Sequence, residues 1–371
     1  MLSSMYGSRG VQLVSGRLGR VVDREGREYV DWFTAHGAAL FGHQDPQLVQ
    51  ALKGAAEGLW TVGASFDHPS RRALEEEVER CLPGRRFFVC NSGTEAVECA
   101  LKLCIALRPG RTRLIAARRA FHGRTLGALS LTFNPKYRSK FDPFLCRVEH
   151  LPPERIPEAI DDRVAAVFLE PVQGEGGVHP LDAELGRRIT RAAAEHQAIL
   201  VADEVQTGMG RCGRMMASHL VGLEPQVACL AKGLAGGFPC GMVLWDRDLG
   251  DFSPGLHGST YGGNPLACSL AALSMGRIRS GEHLEACRIM EAFRRELAGA
   301  GLDVQVRGLG TMTGVEVPVD SSGIVKSLQS AGLLALQAGP RVVRFLPSIK
   351  VTGEDAEMAL DLFIRSLRGA S

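Results

Sequence analysis

No two cysteines stand in a CxxC pair anywhere in this 371-residue chain, although it contains ten cysteines. That absence argues against a zinc site or a dithiol redox motif. Buried free thiols are the plain reading for residues such as Cys99 and Cys104, which sit in apolar stretches. Apolar runs all stop short of the roughly 18 residues that would suggest a membrane helix. Met1 to Gln12 lacks the apolar core of a signal peptide, so a cytoplasmic protein with no membrane partner is expected. A formal net charge of only +2 gives no reason to expect a nucleic-acid partner. Lysine is scarce as well, standing only at positions 53, 102, 136, 140, 232, 326 and 350, so each lysine can be weighed singly.

What is present points to a large folded core. Apolar residues make up 45% of the chain and charged ones 23%, the balance of a soluble globular protein. Short β-rich runs recur at Phe87 to Val89, Leu114 to Ala116, Val164 to Leu169, Ile199 to Ala202, Val227 to Leu230 and Met242 to Leu244. Helical periodicity separates several of them, as at Glu95 to Leu107 and Ala183 to Glu195. Near-continuously apolar strands alternating with helices predict an α/β architecture with a parallel or mixed sheet buried on both faces. Ligands in such sheets lie at the carboxyl ends of the strands. Beyond Asn264 the pattern turns to long helices, Pro265 to Arg279 and His283 to Leu297, then to shorter signals. A smaller α+β domain is expected there, joined by the N-terminal strand-turn-strand around Val21, Asp23, Gly26 and Tyr29. The expected division is 46–262 for the large domain, with 1–45 and 263–371 forming the small one.

Among the lysines, Lys232 alone has the surroundings of a reactive amine. It follows the apolar Cys229, Leu230 and Ala231 and precedes Gly233, Gly236 and Gly237, where backbone can approach a bound ring. Lys102 is its competitor, and a surface loop lysine is the bland alternative. Asp203 ends the run Ile199 to Ala202 and so faces the strand-end crevice. A carboxylate there can keep a pyridine nitrogen protonated, or simply cap a following helix. Ser92-Gly93-Thr94 sits between a strand and a helix, where backbone N–H groups bind phosphate, although a plain cap explains it equally well. Thr260, in GSTYGGN, can add a phosphate contact from another loop. In Phe121-His122-Gly123-Arg124-Thr125 the aromatic ring can stack on a cofactor and Arg124 can grip a carboxylate. His122 reads as a structural histidine. Gly208 to Gly213 spells GxGxxG with Glu224 downstream. A dinucleotide fingerprint should follow its strand directly, and residues 203–207 intervene.

These segments together resemble the class III aminotransferases, the acetylornithine and ornithine aminotransferase group of fold-type I pyridoxal 5′-phosphate (PLP) enzymes. The match runs in order through GAALFGHQDPQLVQ from Gly37, NSGTEAVECAL from Asn91, FHGRT from Phe121 and EPVQGEGGV from Glu170. It continues through DEVQTGMG from Asp203, LAKGL from Leu230, GSTYGGN from Gly258 and GPRVVRFLP from Gly339. The resemblance implies a seven-stranded, mixed but mainly parallel sheet and PLP held on Lys232 as a Schiff base, with Lys232 then shuttling the proton. It implies Asp203 on the pyridine nitrogen, Gln206 on the ring oxygen, Phe121 and Val205 on the two ring faces, and Gly93 and Thr94 at the phosphate. It further implies a homodimer in which Thr260 reaches the neighbour's phosphate and Ser259 lies near the substrate. Arg124 would bind the distal carboxylate and Arg344 the α-carboxylate of glutamate, with Glu175 masking Arg344 when an ω-amino substrate enters.

Asn134 to Arg138 (NPKYR) and Leu333 to Gly339 (LLALQAG) look nearest to the enzymes of carrier-protein lysine biosynthesis, some of which also serve arginine biosynthesis. The expected activity is transfer of the terminal amino group of an N-blocked ornithine or lysine to 2-oxoglutarate, giving a semialdehyde and glutamate. The block would be acetyl, succinyl or the acidic carrier LysW. A basic rim of Arg118, Arg119, Lys136, Arg138 and Lys140 would suit that carrier, and a solvated charged loop explains it as well. At Gly63 to Pro69 (GASFDHP) the chain departs from the acetylornithine enzymes where substrate contacts are expected. Alternatives left open are a glutamate-1-semialdehyde aminomutase, another ω-amino acid aminotransferase, a nicotinamide-dependent oxidoreductase, and a catalytically silent PLP-binding protein.

Overall fold

A computed structural model describes residue 5 and residues 7–369. Residues 1–4, 6, 370 and 371 lie outside the described residues; they belong to the Met1 to Gln12 stretch and to the ends of the segments 1–45 and 263–371. At the centre is a seven-stranded sheet whose strands, in chain order, are β1 (Arg85–Cys90), β2 (Arg113–Ala117), β3 (Glu149–Leu151), β4 (Val164–Leu169), β5 (Ile199–Asp203), β6 (Val227–Leu230) and β7 (Gly241–Asp246). Their spatial order is β1-β7-β6-β5-β4-β2-β3. Only β7 runs against its two neighbours, β6 and β1; every other adjacent pair is parallel. The expected mixed, mainly parallel sheet is the one found.

Every residue of β4, β5 and β6 is buried, which is why these strands read as unbroken apolar runs rather than alternating ones. Their side chains still alternate between faces. Ile199 and Val201 join a cluster under helix α1 (Gly93–Leu107) with Val97, Ala100, Leu103 and Phe168. Leu200 points the other way, toward Ile189 and Ala193 of helix α2 (Ala183–Glu195). Each such aliphatic side chain contributes about 1.5–3 kcal/mol on burial, so a one-residue slip of β5 would be prohibitive.

The remaining strands belong to two four-stranded sheets and a short two-stranded ribbon. One sheet joins Leu13–Arg17, Arg20–Asp23 and Glu28–Asp31 to Leu333–Leu334, which pairs with the third strand in parallel. The other is antiparallel and contains Gln305–Leu309, Met312–Glu316, Val342–Phe345 and Leu336–Gln337. Trp32 ties them together, meeting Phe293 at 5.2 Å and Phe345 at 5.4 Å edge-on, the geometry aromatic rings prefer. We propose the division 46–262 against 1–45 and 263–371; the pairing of residues 333–334 with strand Glu28–Asp31 is what supports it.

The GxGxxG stretch does not open a helix. Gly208 to Gly213 forms a tight turn in which Met209 N–H donates to Met215 O and Gly210 N–H to Arg214 O. The fully buried Arg211 reaches out of it to Thr311 and to the carbonyl of Gly37. A turn that opens no helix offers a pyrophosphate no helix N-terminus, so the dinucleotide reading falls.

Candidate active site

Five parallel strands end at the same edge of the sheet, and the residue that follows each ending supplies a candidate group. Asn91 to Thr94 follow β1, Arg118 to Arg124 follow β2, Glu170 to Glu175 follow β4, Glu204 to Gln206 follow β5 and Lys232 follows β6. They enclose a cavity of about 350 Å³ lined by Gly93, Thr94, Phe121, His122, Arg124, Glu170, Glu175, Asp203, Val205, Gln206 and Lys232, among others. That volume lies in the range of small-molecule sites. A larger cleft of about 1060 Å³ runs beside β1, between Arg72, Arg80, Arg86 and Asp251, and contains none of the candidate residues.

At one end, helix α1 begins. Ser92 caps it, accepting from Glu95 N–H at 3.3 Å and donating to the Glu95 carboxylate at 3.2 Å. Ser92 is thus the cap, while Gly93 and Thr94, whose N–H groups a helix cannot satisfy internally, line the cavity. A Cβ on Gly93 would stand 2.7 Å from a methyl of Val205, so only glycine keeps the floor open there. The Thr94 hydroxyl is engaged by that of Thr125 at 2.9 Å, leaving the backbone as the anion-binding element.

Deeper in the sheet, Asp203 is buried at the end of β5. Its Oδ2 takes a hydrogen bond from His122 Nδ1 at 2.8 Å and its Oδ1 one from Val205 N–H at 3.1 Å, in place of a helix cap. Burial opposes charge on His122, but the bond to Asp203 and the charges of Asp203 and Glu170 outweigh it and hold the imidazole above its ordinary pKa. His122 is therefore the structural histidine expected, yet it sits directly on the site. Its Nε2 has no hydrogen-bond partner among the described residues.

Lys232 follows the buried β6 in a left-handed conformation, φ +46°, rare for a side-chain-bearing residue and characteristic of functional sites. Burial lowers its pKa from 10.5 to about 8; Glu175, Asp203 and Glu170 raise it in part, and Arg344 lowers it further. At pH 7 about a tenth of such an amine is neutral, against roughly one part in several thousand for a solvated lysine. Lys102, the competitor, is exposed and donates to Leu256 O, away from the cavity.

Arg344, on strand Val342–Phe345, is completely buried. It donates to Glu175 Oε1 at 2.6 Å and to Gln206 Oε1 at 3.0 Å. Burial raises the pKa of Glu175, but the charge and hydrogen bond of Arg344 prevail and hold it below the usual carboxylate range. Gln206 thus lines the cavity while its side-chain oxygen serves Arg344. Arg124 is exposed at the mouth, its guanidinium carbon 4.4 Å from the Tyr137 ring and 5.8 Å from Phe121, close enough for cation–π attraction. Ser259 accepts from Asn91 and Gly262, and Thr260 is exposed; neither lines this cavity. Arg138 leaves the expected basic rim, because it pairs with Asp142 at 3.0 Å and turns onto His150 at 3.1 Å. Arg118, Arg119, Lys136 and Lys140 stay exposed.

Two residues of the site were not singled out from the sequence. Glu170 stands one position past β4 as Asp203 stands at the end of β5, so the strand-end argument could have found it. Burial first, and then the charge of Asp203, push its pKa up to about 7, with His122 opposing. His36 lies within electrostatic reach of Glu175, Arg344 and Lys232. It is delivered by three consecutive left-handed residues, Thr34, Ala35 and His36, which no sequence pattern announces. Asp31 holds that segment by accepting from Phe33 N–H at 3.0 Å and Thr34 N–H at 2.8 Å.

The donor set fits a phosphorylated pyridine aldehyde: helix N–H groups for the phosphate, Asp203 at the sheet end, Phe121 and Val205 in the walls, and a desolvated amine. Comparison with known proteins agrees. The profile of the family Aminotransferase class-III matches residues 8–367. A [LysW]-aminoadipate semialdehyde/glutamate semialdehyde transaminase of Sulfolobus acidocaldarius is 36% identical, covering 99% of this chain and 97% of its own. An acetylornithine aminotransferase of Bacillus cereus is 34% identical, over 97% of this chain and 95% of its own. Among solved structures, an ornithine aminotransferase from Toxoplasma gondii with PLP at partial occupancy in its active site superposes with a TM-score of 0.93 at 30% identity, covering 99% of this chain and 91% of that one. The chain belongs to the class III aminotransferases, enzymes of the fold-type I architecture that work with pyridoxal 5′-phosphate.

Proposed function

We propose that this aminotransferase exchanges amino groups between glutamate and the terminal carbon of an N-blocked ornithine or lysine, in arginine or lysine biosynthesis. The single observation that carries this reading is the masked arginine. Arg344 is fully buried behind Glu175 and Gln206, so a substrate with no carboxylate on its reacting carbon meets a neutral pair. Glutamate would displace Glu175 and take the guanidinium bidentately. One pocket then serves a substrate with one carboxylate and a substrate with two. A glutamate-1-semialdehyde aminomutase would not need that pair.

The bound cofactor would supply the electron sink that makes the substrate carbon acidic. The chain's own residues do the rest. Lys232, neutral in part at pH 7, would hold the cofactor and would accept and return the proton of the reacting carbon. Asp203, its carboxylate oriented by His122, would hold a proton at the ring nitrogen. Gly93 and Thr94 would take the phosphate, Phe121 and Val205 the ring faces, and Gln206 the ring oxygen, all of them lining the cavity. Arg124 receives the distal carboxylate, steadied by Tyr137. Thr260, exposed and outside this cavity, and Ser259 beside it serve the neighbouring site of a homodimer.

The relatives and the surface support a carrier protein as the blocking group. Arg118, Arg119, Lys136 and Lys140 form a basic rim suited to an acidic carrier such as the LysW named for several relatives. Among the described residues no helix is long and apolar enough to cross a membrane. The deciding experiment compares kcat/KM for acetylornithine with that for a carrier-linked lysine, each with 2-oxoglutarate. Replacing Lys136 and Lys140 by glutamate should weaken the carrier substrate alone. Turnover of neither substrate would sink the reading, and borohydride-treated holoenzyme should carry cofactor mass on Lys232.

A further inference from the structure

The residue after β4 does more than line the cavity. Glu170 is buried, and each of its carboxylate oxygens is committed to a different loop. Oε1 accepts from Phe121 N–H at 2.9 Å, and Oε2 accepts from Gly174 N–H at 3.0 Å. Phe121 belongs to the loop that walls the cavity, while Gly174 precedes Glu175 in the tip of a hairpin whose arms are Val172–Gln173 and His179–Pro180. The same two loops meet twice more. Gln173 Nε2 donates to Arg118 O at 2.6 Å, and a Cβ on Gly176 would lie only 2.6 Å from Arg119 O. From the opposite side, Arg307 Nε donates to the carbonyls of Gly177 and Val178 at 2.9 and 3.0 Å. The backbone on both sides of Glu175 is therefore gripped, and its side chain, 27% exposed, keeps room to move.

We propose that Glu170 is a positioning residue that clamps this hairpin tip to the Phe121 loop, so that access to Arg344 is switched by rotation of the Glu175 side chain on a fixed backbone. This rests on the reading of Glu175 as the group that masks Arg344. A carboxylate is suited to the task because it accepts on both oxygens. An amide of the same shape leaves one of the two buried N–H groups facing a donor, and an aspartate is too short to span both loops.

The test uses the holoenzyme with Glu170→Gln, Gln173→Ala and Glu175→Gln, measuring each half-reaction separately by single-turnover cofactor absorbance. Glu170→Gln should slow the half-reaction of the ω-amino substrate, which needs the mask in place, about fivefold to a hundredfold, the range for one unmade buried hydrogen bond. The glutamate half-reaction should stay within about threefold. Gln173→Ala, which loosens the same hairpin from outside the cavity, should move the ratio in the same direction by less. Amide hydrogen exchange of the peptide spanning 171–180 should quicken about tenfold in the Glu170→Gln holoenzyme relative to wild-type holoenzyme. Equal slowing of both half-reactions with unchanged exchange at 171–180 would overturn the clamp, as would no change in either. If Glu175→Gln shifts the ratio while Glu170→Gln and Gln173→Ala do not, the clamp alone fails. If Glu175→Gln leaves the ratio unchanged, the masking role itself fails.

Discussion

Replacing Lys232 by methionine should make the apoprotein more stable at neutral pH while abolishing turnover. Burial lowers the lysine pKa from 10.5 to about 8, so at pH 7 the folded chain still carries a charge it holds less comfortably than water does. At about 1.4 kcal/mol for each tenfold change in protonation equilibrium, that difference amounts to about 3 kcal/mol of lost stability. Methionine has similar length and no charge, and it inherits the same left-handed backbone, so the comparison isolates the ammonium. With an unfolding entropy of about 2.1 cal/mol/K per residue over the 371 residues, 3 kcal/mol corresponds to roughly 4 °C in Tm. Between pH 8 and 10.5 the unfolded wild-type chain binds more protons at this position than the folded one, so wild-type stability rises with pH there. The advantage of Lys232→Met should therefore fade from about 4 °C at pH 7 toward zero by pH 10.5. Differential scanning calorimetry of cofactor-free protein is the assay, since bound PLP would stabilise the wild type selectively. A variant that melts at or below wild type at pH 7, or a difference that persists unchanged to pH 10.5, would refute the reasoning.

Three further outcomes are expected. Gly93→Ala places a methyl 2.7 Å from Val205 Cγ1 and 3.3 Å from Ala231, so PLP affinity should fall tenfold or more in an absorbance titration while far-UV dichroism stays unchanged. Trp32→Ala removes a side chain 1% exposed from contact with Phe293 and Phe345, and chemical denaturation should report a loss of about 3–5 kcal/mol. The raised pKa of His122 means that its bond to Asp203 contributes stability that is full below about 6.5 and is lost as pH rises through the higher folded value; replacing His122 by phenylalanine should remove that segment of the stability–pH curve.

How much of this was legible beforehand depended on whether the signal was local. Strands β4, β5 and β6 are buried on both faces, and such strands announce themselves as apolar runs with the chemistry placed at their ends, which is how Asp203 and Lys232 stood out. The helix start at Gly93 was equally visible, because a cap and an anion site use the same residues, and the structure shows Ser92 capping while Gly93 faces the cavity. What pattern could not reveal was three-dimensional coincidence. Gln206 and Arg344 are 138 residues apart and meet through a side-chain bond. Arg138 looked like a surface cation because nothing in NPKYR signals His150, which arrives from β3 to receive it. His36 depends on three left-handed residues held by the buried Asp31, a conformation with no glycine to mark it before Gly37.

The arrangement of charge sets one amine among seven lysines apart, the one we propose as the reactive group. Every ion taken out of water loses several kcal/mol of solvation unless a partner replaces it. In this site the partners are distributed unevenly. Asp203 has His122 at 2.8 Å, and Glu175 has Arg344 at 2.6 Å, so four of the ionisable groups are matched in pairs. Glu170, whose pKa burial pushes up to about 7, is charged only in part near neutral pH, and its two oxygens accept two backbone N–H groups. Lys232 has no carboxylate within ion-pair distance among the described residues, and its largest compensation, from Glu175, is partly cancelled by Arg344. Desolvation is thus concentrated on the one group whose proposed chemistry requires the uncharged form, and the same pairing that quiets the other charges leaves this amine the one suited to act as a nucleophile.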